Sequence, residues 1–266
     1  MTISRGEDLT LAHRLADAAD AITLSRYQSL DLKVSTKPDN TPVTDADKSA
    51  EEAIRALLKA HRPEDGIVGE EFGNVDVDHK RYWVIDPIDG TKNFLRGVPT
   101  WATLIGLVER QPDGSQKTVV GVVSAPALFR RWYAHENGGA YVSVNHEAPK
   151  RIHVSEVSSI QDASLSYSDF TGWGEMEGPF RELLASAWRT RGYGDFWSHV
   201  LVAEGALEAA LEPSLALWDM AALDAIVTEA GGVFSDTRGT TGPHGANGVS
   251  TNKALHQQII SSLNQA

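Results

Sequence analysis

The segment 82–94, YWVIDPIDGTKNF, constrains the structure and the chemistry of this chain more than any other part of the sequence. Its beginning is rich in Val, Ile and Trp, which favour a β-strand. Pro87 cannot continue a central strand, and Gly90 permits a tight turn. The segment therefore predicts a strand that ends at Asp86, with Asp86 and Asp89 held on a stiff bend at the end of that strand.

The two aspartates of this bend are suited to bind a hard divalent cation such as Mg²⁺, which prefers several oxygen ligands and retains bound water. The backbone N–H groups of Gly90 and Thr91, at the start of a predicted helix, are suited to receive a phosphate. The alternative is an Asx-turn, in which both aspartates only accept hydrogen bonds from the local backbone. The segment by itself supports both interpretations equally, and other carboxylates in the chain decide between them.

The composition excludes several classes of protein. The 266 residues suffice for one large or two small domains, and 41% apolar with 23% charged residues is typical of a globular protein. The lack of cysteine excludes disulfides and thiolate metal sites and agrees with a reducing compartment. No N-terminal segment resembles a signal peptide, and no apolar run approaches the ~20 residues of a membrane span. We therefore expect a cytoplasmic protein without a membrane partner.

The net charge of −12 argues against a nucleic-acid partner, since the basic residues do not cluster. A small anionic substrate would need local help from metal ions or arginine. The sequence also lacks a Walker loop, a G-x-G-x-x-G motif, a G-x-S-x-G elbow and an H-E-x-x-H motif. The usual nucleotide-binding, hydride-transfer, serine-esterase and zinc-protease functions therefore have no support.

Hydrophobic periodicity predicts several helices with identifiable ends. Thr44 and Asp47 form a capping-box pattern at the start of one of them. Asp219 is predicted to cap the last helix, and the glycine pair 231–232 to close it. The other predicted helices span residues 7–28, 45–61, 177–187 and 196–204.

Strand-like segments occupy most of the remaining chain. Turn residues at 112–114 and 137–139 separate four consecutive segments, which suggests an antiparallel sheet. A loop is predicted from the turn residues Pro38, Asp39, Asn40 and Pro42. The predicted strands span residues 66–69, 102–109, 118–124, 130–134, 139–143, 163–168 and 206–211.

Acidic residues stand at the boundary of a predicted element in four short stretches: VTDAD (43–47), GEE (69–71), DPIDGT (86–91) and WD (218–219). Each stretch alone has a structural explanation, such as helix capping or a solvated surface. Together and in this order, with EAGG at 229–232, they resemble the inositol monophosphatase family of Mg²⁺-dependent, often lithium-sensitive phosphatases. The resemblance runs from about residue 10 to residue 260.

The resemblance implies a fold, an ion content and a set of residue roles. The implied fold is an α/β (α+β) sandwich with layers in the order α-β-α-β-α, and the implied assembly is a homodimer. Two or three Mg²⁺ ions are implied, with Mn²⁺ able to substitute. The implied metal ligands are Glu70, Glu71, Asp86, the carbonyl oxygen of Ile88, Asp89 and Asp219. The implied catalytic residues are Glu70 as proton acceptor, Thr91 as the group that orients the attacking water, and Asp47 beside them.

We expect residues 1–266 to form one catalytic unit with two lobes. The first lobe, about 1–155, is expected to bind the metal, and the smaller second lobe, about 156–266, to contribute to substrate binding. At the phosphate end the expected substrate-binding residues are Asp89, Gly90, Thr91, Lys92 and Asp219.

The stretches 124–132, 189–196 and 200–205 look most like the bacterial histidinol-phosphate phosphatase branch of that family. Histidinol phosphate, the substrate of that branch, carries an ammonium group. Because an unpaired ammonium is costly to desolvate, binding this substrate needs carboxylates beyond the metal ligands. Asp195 and Glu212 are the predicted carboxylates, and Arg191 resembles the substrate-contacting arginine of the branch. The alternatives are a surface or capping role for the two acids and an internal ion pair for Arg191.

Two other functions remain open from the sequence. One is an inositol or other sugar-alcohol monophosphatase, with the same metals and a pocket for hydroxyl groups. The other is a non-catalytic metal-binding regulatory protein on this scaffold. Thr91 argues against the second, because a protein that only binds metal has no use for a hydroxyl that orients water.

Overall fold

The computed structural model describes residues 4–38 and 41–265. Two residues of the predicted loop, Asp39 and Asn40, therefore lie outside the described residues. Among the described residues, no helix is both long enough and apolar enough to cross a membrane. The helices are α1 (Arg5–Arg26), α2 (Asp45–His61), α3 (Thr91–Leu95), α4 (Glu177–Ser186), α5 (Asp195–Ala203), α6 (Leu217–Glu229) and α7 (His256–Leu263).

The described strands form a hairpin and two larger sheets. They are β1 (Val34–Thr36), β2 (Pro42–Thr44), β3 (Gly66–Gly69), β4 (Gly73–Val75), β5 (Arg81–Asp89), β6 (Ala102–Arg110), β7 (Gln116–Ala125), β8 (Arg130–His135), β9 (Gly139–Val144), β10 (Lys150–Ile152), β11 (Ser164–Tyr167), β12 (Arg189–Arg191), β13 (Ala209–Glu212), β14 (Val233–Ser235) and β15 (Gly248–Thr251). Strands β1 and β2 pair with each other. The eight-stranded sheet has the order β10-β9-β8-β7-β6-β5-β3-β4, and the five-stranded sheet has the order β12-β11-β13-β15-β14.

The helices and sheets stack in five layers, as the resemblance implied. Helices α1 and α2 pack on one face of the eight-stranded sheet, and α5 and α6 lie between the two sheets. Helices α4 and α7 cover the far face of the five-stranded sheet. Helix α6 lies close to β7 because Gly121 has no side chain: a Cβ there would lie 2.4 Å from the carbonyl oxygen of Ala222.

The predicted elements are largely confirmed. Helix α2 has the predicted ends, and its N-cap Thr44 forms a complete capping box with Asp47. Strands β6 to β9 form the predicted antiparallel succession. The shortest strands, such as β12 and β14, were not predicted, because three residues carry too little periodicity to identify a strand.

Two predicted boundaries are wrong. Strand β5 continues past Asp86 to Asp89, because its pairing with β6 shifts register between these residues. A bulge of this kind tolerates Pro87, whose carbonyl oxygen accepts a hydrogen bond from Thr103 Oγ1 at 2.8 Å. Helix α6 begins at Leu217, so Asp219 is its third residue and caps it from within: its carboxylate accepts a hydrogen bond from the N-cap residue, Ala216 N, at 2.7 Å.

Candidate active site

A cavity of about 730 Å³ lies where the bulged end of β5 meets the first residues of α5 and α6. Most of the predicted site residues line it: Glu70, Asp86, Ile88, Asp89, Gly90, Thr91, Lys92, Asp195, Glu212 and Asp219. Among the predicted residues that the structure describes, Asp47, Glu71 and Arg191 do not line it. Residues from both large sheets therefore meet in one cavity.

Asp86, Asp89 and Asp219 form the centre of this cavity. One carboxylate oxygen of each lies within 4.8 Å of the other two. A backbone N–H group fixes each carboxylate: Ile88 N donates to Asp86 at 2.9 Å, Phe196 N donates to Asp89 at 2.7 Å, and Ala216 N donates to Asp219 at 2.7 Å. The Asx-turn interpretation is correct for one oxygen of Asp86, and this bond leaves the second oxygen available to the cluster.

The cluster is electrostatically unfavourable without a cation. Burial, followed by the repulsion from nearby carboxylates, raises the pKa of Asp86 and of Asp89 well above the usual range. Burial is also the largest cause that raises the pKa of Asp219 to about 6. A divalent cation among these oxygens would offset both the cost of burying the charged carboxylates and their mutual repulsion. An all-oxygen donor set is also the one that Mg²⁺ prefers. The residues present therefore fit a Mg²⁺ site.

Glu70 and Glu71 lie in the turn between β3 and β4, where a lysine that the sequence analysis missed contacts them. Lys37 Nζ lies 2.6 Å from a carboxylate oxygen of Glu70 and 2.6 Å from one of Glu71. Burial nevertheless raises the pKa of Glu71 to about 7, and the charge of Glu70 adds to the effect. Of these three residues only Glu70 lines the cavity, and Lys37 links it to Glu71.

Thr91 is the first residue of α3, directly after Gly90, whose φ of +81° is easily adopted only by glycine. The Thr91 hydroxyl lies 3.0 Å from the carbonyl oxygen of Ile88 and 3.5 Å from Asp47 Oδ1. Asp47 is fully buried, and burial raises its pKa to about 6. The hydroxyl is therefore placed between the carboxylate of α2 and the bulge of β5.

The cavity also contains Asp195 and Glu212. Glu212 is 2% exposed and accepts a hydrogen bond from Ser168 Oγ at 2.7 Å, and burial raises its pKa to about 8. Asp195 N donates to the same Ser168 Oγ at 3.1 Å, while Asn93 Nδ2 donates to Asp195 Oδ2 at 3.1 Å. These two carboxylates share one serine and lie beside the metal cluster.

Ser168 and Asn93 were missed by the sequence analysis. A signal for Ser168 was available, because it follows β11 and Glu212 ends β13, and these strands are parallel neighbours. Polar residues at the carboxyl ends of adjacent parallel strands commonly form a binding site. Nothing local in the sequence marks Asn93, whose contact with Asp195 spans 102 positions.

Arg191 is placed differently from the other predicted site residues. It is an exposed residue of β12, and its Nη1 donates to the backbone carbonyl of Thr190 at 2.7 Å. The described residues that line the cavity do not include it. Its expected contact with substrate therefore stays a prediction.

The family follows from a match over almost the whole chain. A model described as "Inositol monophosphatase family" matches residues 5–266. The chain belongs to this family. Among the curated members, it is 54% identical to a histidinol-phosphatase of Streptomyces coelicolor, over 97% of each chain. It is 50% identical to a histidinol-phosphatase of Mycobacterium tuberculosis, over 97% of this chain and 98% of the relative.

A solved structure of the family supports the layered fold directly. An inositol monophosphatase from Zymomonas mobilis superimposes with a TM-score of 0.84 at 30% identity, over 99% of this chain and 100% of that one. The five-layer arrangement described above is thus the arrangement of an experimentally determined family member.

Proposed function

We propose that this protein is a Mg²⁺-dependent phosphate monoester hydrolase that converts L-histidinol phosphate to L-histidinol and phosphate in histidine biosynthesis. The observation that carries the proposal is one cavity lined by two groups of carboxylates. Asp86, Asp89 and Asp219 form a cluster, and Asp195 and Glu212 line the cavity beside it. The cluster suits a metal-bound phosphate, and the additional pair suits an ammonium group. The Streptomyces coelicolor and Mycobacterium tuberculosis relatives bear the name histidinol-phosphatase.

Two or three ions would be held by the predicted ligand set. Asp86 would contribute to two of them, and Asp47, Glu70 and Glu71 would lie beside a third. Bound Mg²⁺ would supply positive charge that offsets the phosphate oxygens, favours ionisation of water and stabilises the leaving alkoxide, and Mn²⁺ can supply the same charge.

The chain's own groups would orient the reactants. The Thr91 hydroxyl would hold the attacking water by a hydrogen bond, with Asp47 fixing the hydroxyl from behind. Water oxygen would attack phosphorus while one of its protons passes to the Glu70 carboxylate. The phosphorus–oxygen ester bond would break, and the leaving alkoxide would take a proton from solvent water to give the alcohol. The N–H groups of Gly90 and Thr91 and the ammonium of Lys92 would bind the phosphate oxygens.

Asp195 and Glu212 would select the alcohol part of the substrate. The raised pKa of Glu212 reports a buried carboxyl without enough positive charge around it. The ammonium of histidinol phosphate would supply that charge, and its own desolvation would be offset by Glu212 and Asp195. The same two carboxylates could accept hydrogen bonds from the hydroxyl groups of inositol, so a comparison of the two esters has to decide between them.

The lobe assignment is part of the proposal. Residues of about 1–155 would bind most of the metal, and residues of about 156–266 would supply Asp219 and the groups that bind the substrate tail, all in one catalytic unit. We also propose a cytoplasmic homodimer, with its mass to be measured by light scattering after size-exclusion chromatography.

A substrate panel tests the proposal. Phosphate release from L-histidinol phosphate, inositol 1-phosphate and glycerol 2-phosphate is measured with Mg²⁺ and with excess chelator. We expect the largest kcat/KM for histidinol phosphate and no activity with chelator. Faster release from inositol 1-phosphate would assign the protein to the inositol monophosphatases, and release from none of the esters would favour a regulatory metal-binding protein.

A further inference from the structure

We propose that Glu51 is a positioning residue that fixes the turn of Glu70 and Glu71 in place and thereby sets the affinity of the site for divalent cations. This inference rests on the metal site of the proposed function. Glu51 belongs to α2 and does not line the cavity among the described residues. It acts through backbone contacts with the turn and has no direct contact with substrate.

Glu51 holds the turn through its two carboxylate oxygens. Oε2 accepts a hydrogen bond from Glu71 N at 2.8 Å, and Oε1 accepts one from Phe72 N at 3.2 Å. The side chain is 0% exposed, so its charge is desolvated and depends on these donors. A buried carboxylate that accepts two consecutive backbone N–H groups fixes both the position and the direction of that turn.

Arg55 completes the arrangement from the next turn of α2. Its Nε donates to Glu51 Oε1 at 2.7 Å, and its Nη2 donates to the carbonyl oxygen of Gly73. Gly69 provides the space for this pair, because a Cβ there would lie 2.0 Å from Glu51 Oε1 and 2.6 Å from Arg55 Nη2. The residues on both sides of the turn are thus bound to one helix.

The same helix carries Asp47, four positions before Glu51, and residues at this spacing share a helix face. Asp47 approaches Thr91, while Glu51 accepts hydrogen bonds from Glu71 N and Phe72 N. Helix α2 therefore sets the distance between the water-orienting hydroxyl and the metal-binding turn. A shift of the turn on α2 changes the metal site without altering any of its ligands.

The proposal predicts a defect in cation binding. The amide side chain of a Glu51→Gln variant would present only one acceptor oxygen, and its NH₂ group would face N–H donors. Changes in residues that orient metal ligands typically cost about 10–100-fold in metal affinity or activity. For Glu51→Gln we expect a Kd for Mg²⁺ that is about 10–100-fold higher, with much of the lost kcat regained at saturating Mg²⁺.

The matched control is Glu52→Gln, which makes the same charge change at the adjacent, exposed position of α2. Titration with MgCl₂ alone, followed by calorimetry and by the Mg²⁺-induced rise in Tm, gives the Kd of each variant. Because no substrate is present, the result stands even if the substrate proposal fails. An unchanged Kd in Glu51→Gln, with only a lower metal-free Tm, would show that Glu51 is purely structural.

Gly69→Ala tests the same idea without removing a charge and decides it if Glu51→Gln does not fold. The added Cβ displaces the ends of Glu51 and Arg55, so we expect weaker Mg²⁺ binding here as well. The control is Gly178→Ala, where an added Cβ has nothing within 4 Å. Wild-type Mg²⁺ affinity in Gly69→Ala would overturn the proposal.

Discussion

The cavity contains two groups of carboxylates, here called the metal end (Asp86, Asp89 and Asp219) and the tail end (Asp195 and Glu212), and they are held by different kinds of donor. Backbone N–H groups fix Asp86, Asp89 and Asp219. Side-chain groups surround the other end, where Ser168 Oγ donates to Glu212 and Asn93 Nδ2 donates to Asp195. Backbone donors are present for any sequence that adopts the fold, whereas side-chain donors change with a single substitution.

This difference separates the reaction from the choice of substrate. The metal end is part of the fold itself, since its donors come from the bulge of β5 and the first residues of α5 and α6. The side chains of the tail end can change without moving these backbone donors. We therefore expect substitutions at the metal end to affect every ester and those at the tail end to affect only esters with a cationic tail.

The largest expected effect comes from Asp86→Asn. This change keeps the shape of the side chain but removes the charge at the centre of the cluster. A loss of about 4 kcal/mol of transition-state stabilisation corresponds to about 1000-fold in kcat/KM. The loss should be the same for histidinol phosphate and glycerol 2-phosphate, with the circular-dichroism spectrum unchanged. Near-normal turnover in Mg²⁺ would remove the metal end from the mechanism.

Thr91→Ala should lower kcat by about 100-fold and change KM little, because a positioned proton-transfer partner acts mainly in the transition state. Thr91→Ser retains the hydroxyl and should recover most of the activity. Steady-state kinetics on both esters measure the effect. If Thr91→Ala keeps the kcat of the unmodified protein, Thr91 serves only to start α3.

Glu212→Gln and Asp195→Asn should distinguish the tail end from the metal end. Each leaves the substrate ammonium under-compensated, at about 1–3 kcal/mol, or about 5–150-fold in KM for histidinol phosphate. The KM for glycerol 2-phosphate should stay within about twofold, since its tail has no ammonium. Asp162→Asn, at an exposed position, is the charge control. Equal losses on both esters would contradict an ammonium site.

The smallest effect is a dependence of stability on pH. Burial raises the pKa values of Asp47 and Asp219 to about 6, of Glu71 to about 7 and of Glu212 to about 8. A carboxyl whose folded pKa exceeds its unfolded value favours the folded state at low pH and loses that contribution as pH rises through the folded pKa. With excess chelator present, ionisation of these carboxyl groups should therefore lower the Tm of the protein by about 5 °C between pH 5.5 and pH 8.5.

Mg²⁺ should reverse this trend, because a bound cation favours the ionised carboxylates. The Mg²⁺-induced rise in Tm should grow with pH over the same interval, as measured by scanning fluorimetry. A rise that is constant with pH would mean that the metal does not bind to these carboxyl groups. The substitution Glu212→Gln should make the chelator profile shallower over the whole interval and nearly flat above about pH 8, where the other three carboxyl groups are already ionised in the folded state.

Many helices and strands were predictable because their sequence signals lie within a few residues of one another. The capping box of Thr44 and Asp47 and the apolar stripe of α2 fix that helix from residues a few positions apart. The strand succession β6 to β9 follows from turn residues between apolar runs. The two wrong boundaries, at Pro87 and Asp219, have different causes. Pro87 is accommodated by a register shift in the pairing with β6, which depends on a distant strand. Asp219 caps α6 from its third position through a local bond to Ala216 N, so the helix begins two residues earlier than predicted.

The sequence by itself determined which residues are the candidates for the metal chemistry, because their short motifs are specific to the family and remain intact. Only the tertiary structure decided how those residues are held. Asp89 is fixed by Phe196 N, 107 positions away, and Glu71 by Glu51, 20 positions away. It also placed Lys37 beside Glu70 and left Arg191 on the surface. Contacts of this kind join residues that are far apart in the sequence, so a local sequence pattern does not predict them.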